Sequence, residues 1–168
     1  MPNLTILKIK LDNLILKSIS HEFIQDILVS NYGSVKEYFI DFKSGKEVEN
    51  WVDENIILME NQDKIELVIL KKNQFVGMIS IRNLKTDPIF GLWIKLEFQK
   101  QGIAKKSMEI LKSWIFNNTE LTKLYYTAET KNTASINLAK SLNAEYTKDF
   151  IDEDGAQTSQ FIFWKPIK

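Results

Sequence analysis

Between Ser44 and Asn61 the residues Val48, Trp51, Val52, Asn55, Ile56 and Met59 recur three or four positions apart, the spacing of one helix face. Ser44-Gly45-Lys46-Glu47 opens this stretch as a capping box, a hydroxyl followed three residues on by a glutamate. The same spacing predicts a helix over 21–30, with Ser20 as its cap and Phe23, Ile24, Ile27 and Leu28 on one face. A helix is predicted from about Gly102, with Ala104, Met108, Leu111 and Ile115 inward, and another after Asn132, with Ser135, Leu138, Ala139 and Leu142 inward. A short helix is expected around 35–41. Elsewhere the pattern changes to short apolar runs or alternation, which predicts strands at 4–11, 14–16, 64–70, 75–81, 89–96, 124–128, 145–151 and 159–164. Lys71-Lys72-Asn73-Gln74 reads as a hairpin turn, and Asp87-Pro88 as a second turn. Hairpins and crossover helices both occur, so the pattern predicts an α+β fold with one sheet between helices.

At 168 residues the chain is long enough for one full core and too short for two ordinary ones, so residues 1–168 are read as a single domain. The 22 acidic and 22 basic residues cancel, which argues against salt-driven nucleic-acid binding. With no cysteine, the chain has no disulfide, thiolate metal site or cysteine nucleophile. With only His21, it has no multi-histidine metal site, and none is expected. Lys8, Lys10, Asp12 and Lys17 break up the apolar N-terminal stretch, so it does not read as a secretory signal. No run approaches a membrane span, and the default expectation is a cytoplasmic protein without a membrane partner.

The segment that carries chemistry is Trp93-Ile94-Lys95-Leu96-Glu97-Phe98-Gln99-Lys100-Gln101-Gly102-Ile103-Ala104. A strand runs into a tight turn, and the turn into a helix. Unpaired N–H groups and the dipole at such a helix start favour an anion, and Gly102 lets a phosphate come close to the backbone. A G-x-x-x-x-G-K-[ST] loop is absent, which removes the case for a nucleotide triphosphatase.

Gln99 to Ala104 matches [Q/R]-x-x-G-x-[G/A], and here the chain resembles the GNAT N-acetyltransferase superfamily. Gly91-Leu92-Trp93-Ile94 resembles that family's G-Y-W-L strand, Asn132-Thr133-Ala134-Ser135 its N-x-x-S, and Leu14-Ile15-Leu16-Lys17 the L-I-L-R start of its RimJ/RimL-like branch. The resemblance implies a mostly antiparallel central sheet flanked by helices and splayed between strands 89–96 and 124–128. It implies acetyl-CoA as acetyl donor, with Leu92, Trp93, Ile94, Gln99, Lys100, Gln101, Gly102, Ile103, Ala104 and Asn132 binding it. It further implies that Ser135 protonates the leaving thiolate, although by itself Ser135 reads equally as a small packed residue. The expected partner is a small-molecule amine or a protein N-terminus, with a homodimer left open.

Departures from the family pattern are Lys100 and Asn143-Ala144 where glycine and Gly-Phe are usual, Leu96 for proline, and Ile89 for a frequent acidic residue. The last leaves the general base open among Glu22, Glu37, Glu66, Glu129 and a relayed water. A non-catalytic acyl-CoA-binding module on the same fold is the alternative reading.

Overall fold

The computed structural model describes residues 2–30 and 42–167. A 3-10 turn at Leu4–Ile6 leads into strands β1 (Lys8–Leu11) and β2 (Leu14–Ser18), a 3-10 turn at His21–Phe23, and helices α1 (Ile24–Ser30) and α2 (Gly45–Glu60). Strands β3 (Lys64–Lys71), β4 (Gln74–Arg82) and β5 (Ile89–Ile94) follow, then α3 (Ile103–Asn118), β6 (Lys123–Glu129), α4 (Thr133–Ser141), β7 (Glu145–Ile151) and β8 (Gln157–Trp164). The expected helix around 35–41 and Glu37 lie outside the described residues.

The capping box forms: Glu47 N–H donates to Ser44 Oγ (3.2 Å), while the Glu47 carboxylate reaches back to the Lys43 N–H (2.8 Å). Ser20 does not cap as expected. Its hydroxyl donates to the Glu22 carboxylate at 3.0 Å, and the backbone winds first as 3-10 and only then as α-helix. The predicted strand 4–11 is likewise split, its first part a 3-10 turn with Leu4 buried.

The strands form one sheet in the order β1-β2-β3-β4-β5-β6-β8-β7, antiparallel at every pairing except β5 with β6. Residues 65–70 of β3 are buried on both faces, so the sheet must be covered on both sides. Helices α1 and α2 pack together over one face, α2 lying on β3, while α3 and α4 pack together over the other, against β5 and β6. The β3–β4 hairpin turns at Lys72 and Asn73, whose φ angles of 51° and 65° suit a two-residue turn matched to strand twist. A bulge between Ile69 and Leu70 then shifts the register by one residue.

Strand β5 is shorter than predicted. It ends at Ile94, and Leu96–Phe98 form a 3-10 turn with Leu96 exposed.

Candidate active site

The site grows from the place where β5 leaves β6. These parallel neighbours pair only at Ile89↔Tyr125 and Phe90↔Tyr126, and from Gly91 onward they diverge. Lys95 donates its N–H to the Val76 carbonyl across β4 (2.9 Å), and strand alternation turns the neighbouring groups the other way. The N–H groups of Leu92 and Ile94 therefore face the gap. The Ile94 carbonyl is already taken, accepting from Gln99 Nε2 at 3.0 Å. Gln99 thus ties the end of β5 to the turn that follows.

Gly77 makes the divergence sterically feasible. A β-carbon there would lie 2.2 Å from the Trp93 carbonyl oxygen and 3.0 Å from Ile94 Cα, so β5 leans across β4 only because no side chain stands between them.

Beyond the 3-10 turn the chain enters α3 through two left-handed residues, Lys100 (φ 57°) and Gly102 (φ 74°). The conformation at Lys100 explains why glycine would be favoured at that position. Above Gly102 the space is open, with no atom within 4 Å of where its β-carbon would be. Among the described residues no acceptor meets the N–H groups of Gly102, Ile103, Ala104 and Lys105, and the helix has no side-chain cap. The first turn of α3 holds no acid, and Lys105 and Lys106 lie within it, the reverse of what the helix dipole favours. Lys106 pairs with Asp12, but Lys71 Nζ donates to the neutral Gln101 Oε1 at 2.8 Å, so it leaves a positive charge on the rim of this cradle. Open space, free donors and uncompensated positive charge together fit a phosphate-bearing ligand.

On the α4 side Asn132 caps its helix, its side-chain oxygen accepting from the Ser135 N–H at 3.0 Å. The Ser135 side chain sits beside the Tyr126 phenol and acts on its ionisation. Burial raises the Tyr126 pKa, and Ser135 opposes that rise only in part, so the phenol stays protonated. Tyr126 stands opposite Phe90, the last paired residue before the gap, which puts the Tyr126–Ser135 pair beside the fork. No local signal in the sequence marks the approach of Tyr126 to Ser135.

On the opposite face Glu66 is buried on β3, and Lys64 Nζ approaches its carboxylate at 2.6 Å. Burial raises its pKa, against the opposing pull of Lys64 and Arg82. The other candidate bases differ. Glu129 pairs with Lys131 at 3.0 Å at the end of β6, and Glu22 pairs with Lys17 at the surface.

The family model for the GNAT acetyltransferase domain matches residues 13–145, which takes in the fork, the cradle and both helices beside them. The chain belongs to the GNAT acetyltransferase family. A sequence comparison with curated proteins finds no match. Among solved structures, RimL, a ribosomal L7/L12 alpha-N-protein acetyltransferase in complex with coenzyme A, superposes with a TM-score of 0.85 at 16% identity, covering 94% of this chain and 98% of that one. A Salmonella typhimurium acetyl transferase described as modifying the N-terminal serine of the 50S subunit protein L7/L12 gives 0.82 at 16% identity, covering 94% and 99%. A chimera of the spermidine N-acetyltransferase SpeG from Vibrio cholerae with hSSAT gives 0.81 at 14% identity, covering 92% and 96%. At these identities the superpositions establish a shared GNAT fold, with the splay where the sequence resemblance expects it. None of the described helices is long and apolar enough to cross a membrane.

Proposed function

We propose that this GNAT domain, spanning residues 1–168, transfers an acetyl group from acetyl-CoA directly to a primary amine in a ternary complex. The fork carries the reading: the Leu92 and Ile94 N–H groups face a gap that ends beside the cradle of α3. The pantetheine arm of the donor has amides and can pair there as an added strand, while the pyrophosphate meets the N–H groups from Gly102 to Lys105. In this reading Leu92, Trp93 and Ile94 line the arm. Gln99, Lys100, Gln101, Gly102, Ile103 and Ala104 form the phosphate turn, and Asn132 borders the thioester end. No metal enters the reading.

Direct transfer needs a neutral amine, a stabilised carbonyl oxygen and a protonated leaving thiolate. An N–H of the diverging strand supplies the second need once the acetyl oxygen lies in the gap. Ser135, backed by the protonated Tyr126, supplies the third. The N-terminal serine and polyamine acceptors of the structural relatives support an amine as second substrate. The absence of cysteine supports a cytoplasmic enzyme, because a reducing compartment leaves no use for disulfides.

Release of free thiol from acetyl-CoA tests the proposal, using a serine-initiated hexapeptide, spermidine and a panel of small amines. Thiol release with any of them supports transfer. Tight acetyl-CoA binding with no release in any assay identifies a binding module instead.

Two variants test the parts. Gly102→Val should weaken acetyl-CoA binding by about 2 kcal/mol or more, because its methyls enter the open cradle and displace charge-assisted hydrogen bonds. The left-handed φ also strains valine, so titration calorimetry is paired with a melt to confirm folding. Ser135→Ala should lower turnover roughly tenfold to a thousandfold with acetyl-CoA affinity unchanged. A full-speed alanine variant returns Ser135 to a packing role.

A further inference from the structure

In this chain Ile89 occupies the position where the family pattern often carries an acid, yet the face of the sheet under α2 holds a buried carboxylate. Glu66 on β3 stands directly opposite Ser80 on β4, and Ser80 directly opposite Gly91 on β5. Residues opposite one another in neighbouring strands share a face, with β-carbons about 5 Å apart. The three positions therefore form one row across the sheet. Gly91 is the first residue beyond the last β5–β6 pair, so the row ends at the mouth of the fork. Ser80 leans toward that end, since a β-carbon on Gly91 would lie 2.6 Å from Ser80 Oγ. With glycine there, the hydroxyl overlies the backbone where the two strands part.

The other end of the row is held rigidly. Lys64 Nζ lies 2.6 Å from Glu66 Oε2 and donates to Asn55 Oδ1 on α2, also at 2.6 Å. Asn55 is buried and anchored in turn, donating from Nδ2 to the Trp51 carbonyl at 2.8 Å, and the Lys64 ammonium stands over the Trp51 ring. Met59 of α2 closes the site above the Glu66 N–H. The charged groups acting on the carboxylate are Lys64 from its own strand and Arg82 from β4, while α2 contributes the neutral Asn55 and Met59. One ion pair fixes Glu66 through Oε2, and Ser80 is its cross-strand neighbour.

We propose that Ser80 and Glu66 form the proton relay that deprotonates the acceptor ammonium, in place of the acid missing at position 89. The inference rests on the transferase reading. As the ammonium N–H bond breaks, its proton passes to Ser80 Oγ, and the proton of Ser80 passes to the Glu66 carboxylate. The lone pair so freed attacks the thioester carbonyl; as the C–S bond breaks the thiolate takes a proton from Ser135, the new amide nitrogen loses its second proton to solvent, and Glu66 returns its own proton to solvent after transfer. Ser80 is the group that touches the amine; Glu66 acts through it as a positioning residue and proton store. A carboxyl held above the ordinary range by burial suits that task, because it retains the proton during attack.

The test uses Ser80→Ala and Glu66→Gln in the full chain. Carbon NMR of the glutamate carboxyls gives the Glu66 titration midpoint in the ligand-free protein, and Glu66→Gln assigns the signal by removing it. Ser80→Ala should raise that midpoint, since a hydroxyl donating to the carboxylate favours its charged form. An unmoved midpoint overturns the relay whether or not the protein turns over.

In thiol-release assays with spermidine and the serine-initiated hexapeptide, both variants should lose roughly a hundredfold or more in turnover. Glu66→Gln should also lose the acidic limb of the pH–rate profile. Hydroxylamine, already uncharged near neutrality, should be acetylated at close to the parental rate by both. Parental rates and profile with the ammonium acceptors, in folded variants that bind acetyl-CoA normally, refute the relay and leave the transferase reading intact. Equal loss with hydroxylamine also refutes it, because that acceptor brings no ammonium proton for the relay to remove before attack. A parent that releases no thiol with any acceptor counts against the transferase reading, and the titration arm still judges the Ser80–Glu66 coupling.

Discussion

Gly77→Ala should destabilise the domain by about 1–3 kcal/mol and weaken acetyl-CoA binding at the same time. The added methyl would sit 2.2 Å from the Trp93 carbonyl, a contact no rotamer can relieve because both partners are held by backbone. Either β4 and β5 separate, at the cost of hydrogen bonds around Gly77↔Ile94, or β5 straightens toward β6 and narrows the fork. For a chain of this size the loss corresponds to a fall of roughly 2–4 °C in Tm per kcal/mol. Thermal melts and titration calorimetry on one preparation check both halves. A variant that melts and binds like the parent would show that the fork does not depend on the close approach at Gly77.

Acetyl-CoA itself should stabilise the protein strongly. At one hundred times its dissociation constant the gain is about 2.7 kcal/mol by mass action, or roughly 5 °C or more in Tm. In the proposed pose the gain would come from the ligand pairing with the N–H groups of Leu92 and Ile94 that face the gap, while its phosphates fill the α3 cradle. Coenzyme A should retain most of this shift, whereas ATP offers phosphates without an amide arm and should give much less. Melts with the three ligands decide it. Equal stabilisation by ATP would reduce the site to a general phosphate cradle and remove the main support for an arm in the fork.

Much of this architecture is legible in the sequence because its causes are local. The box at Ser44 and Glu47, the turn at Lys72-Asn73 and the helix start at Asn132 each depend on a few adjacent residues. Leu96 shows where pattern fails: it is apolar and extends the run of β5, yet it lies exposed in a 3-10 turn. Ser20 fails differently, since a neighbouring carboxylate captures the hydroxyl expected to cap the helix. The relay row was hidden for a geometric reason. Counting back from the pair Lys71↔Gln74 places Glu66 opposite Ile79, but the bulge at Ile69/Leu70 moves it opposite Ser80. One inserted residue, invisible to periodicity, replaces an apolar neighbour with a hydroxyl. The contact of Tyr126 with Ser135 was hidden because it joins a strand to the helix packed above it.

The fork also divides the molecule along the order of its synthesis. Strands β1 to β5 all come from residues before 95, and β6 to β8 all from residues after 122, with the 3-10 turn at Leu96–Phe98 and α3 between them. The five-stranded antiparallel half has every strand partner it needs before the rest of the chain is made, apart from two residue pairs along one edge. The later half is a three-stranded unit that docks onto that edge by the same two pairs. Each half can gain its sheet structure from its own stretch of chain, so the seam between them can remain weak without loss of the fold. A ligand lying in that seam would join two pieces of the protein made at different times.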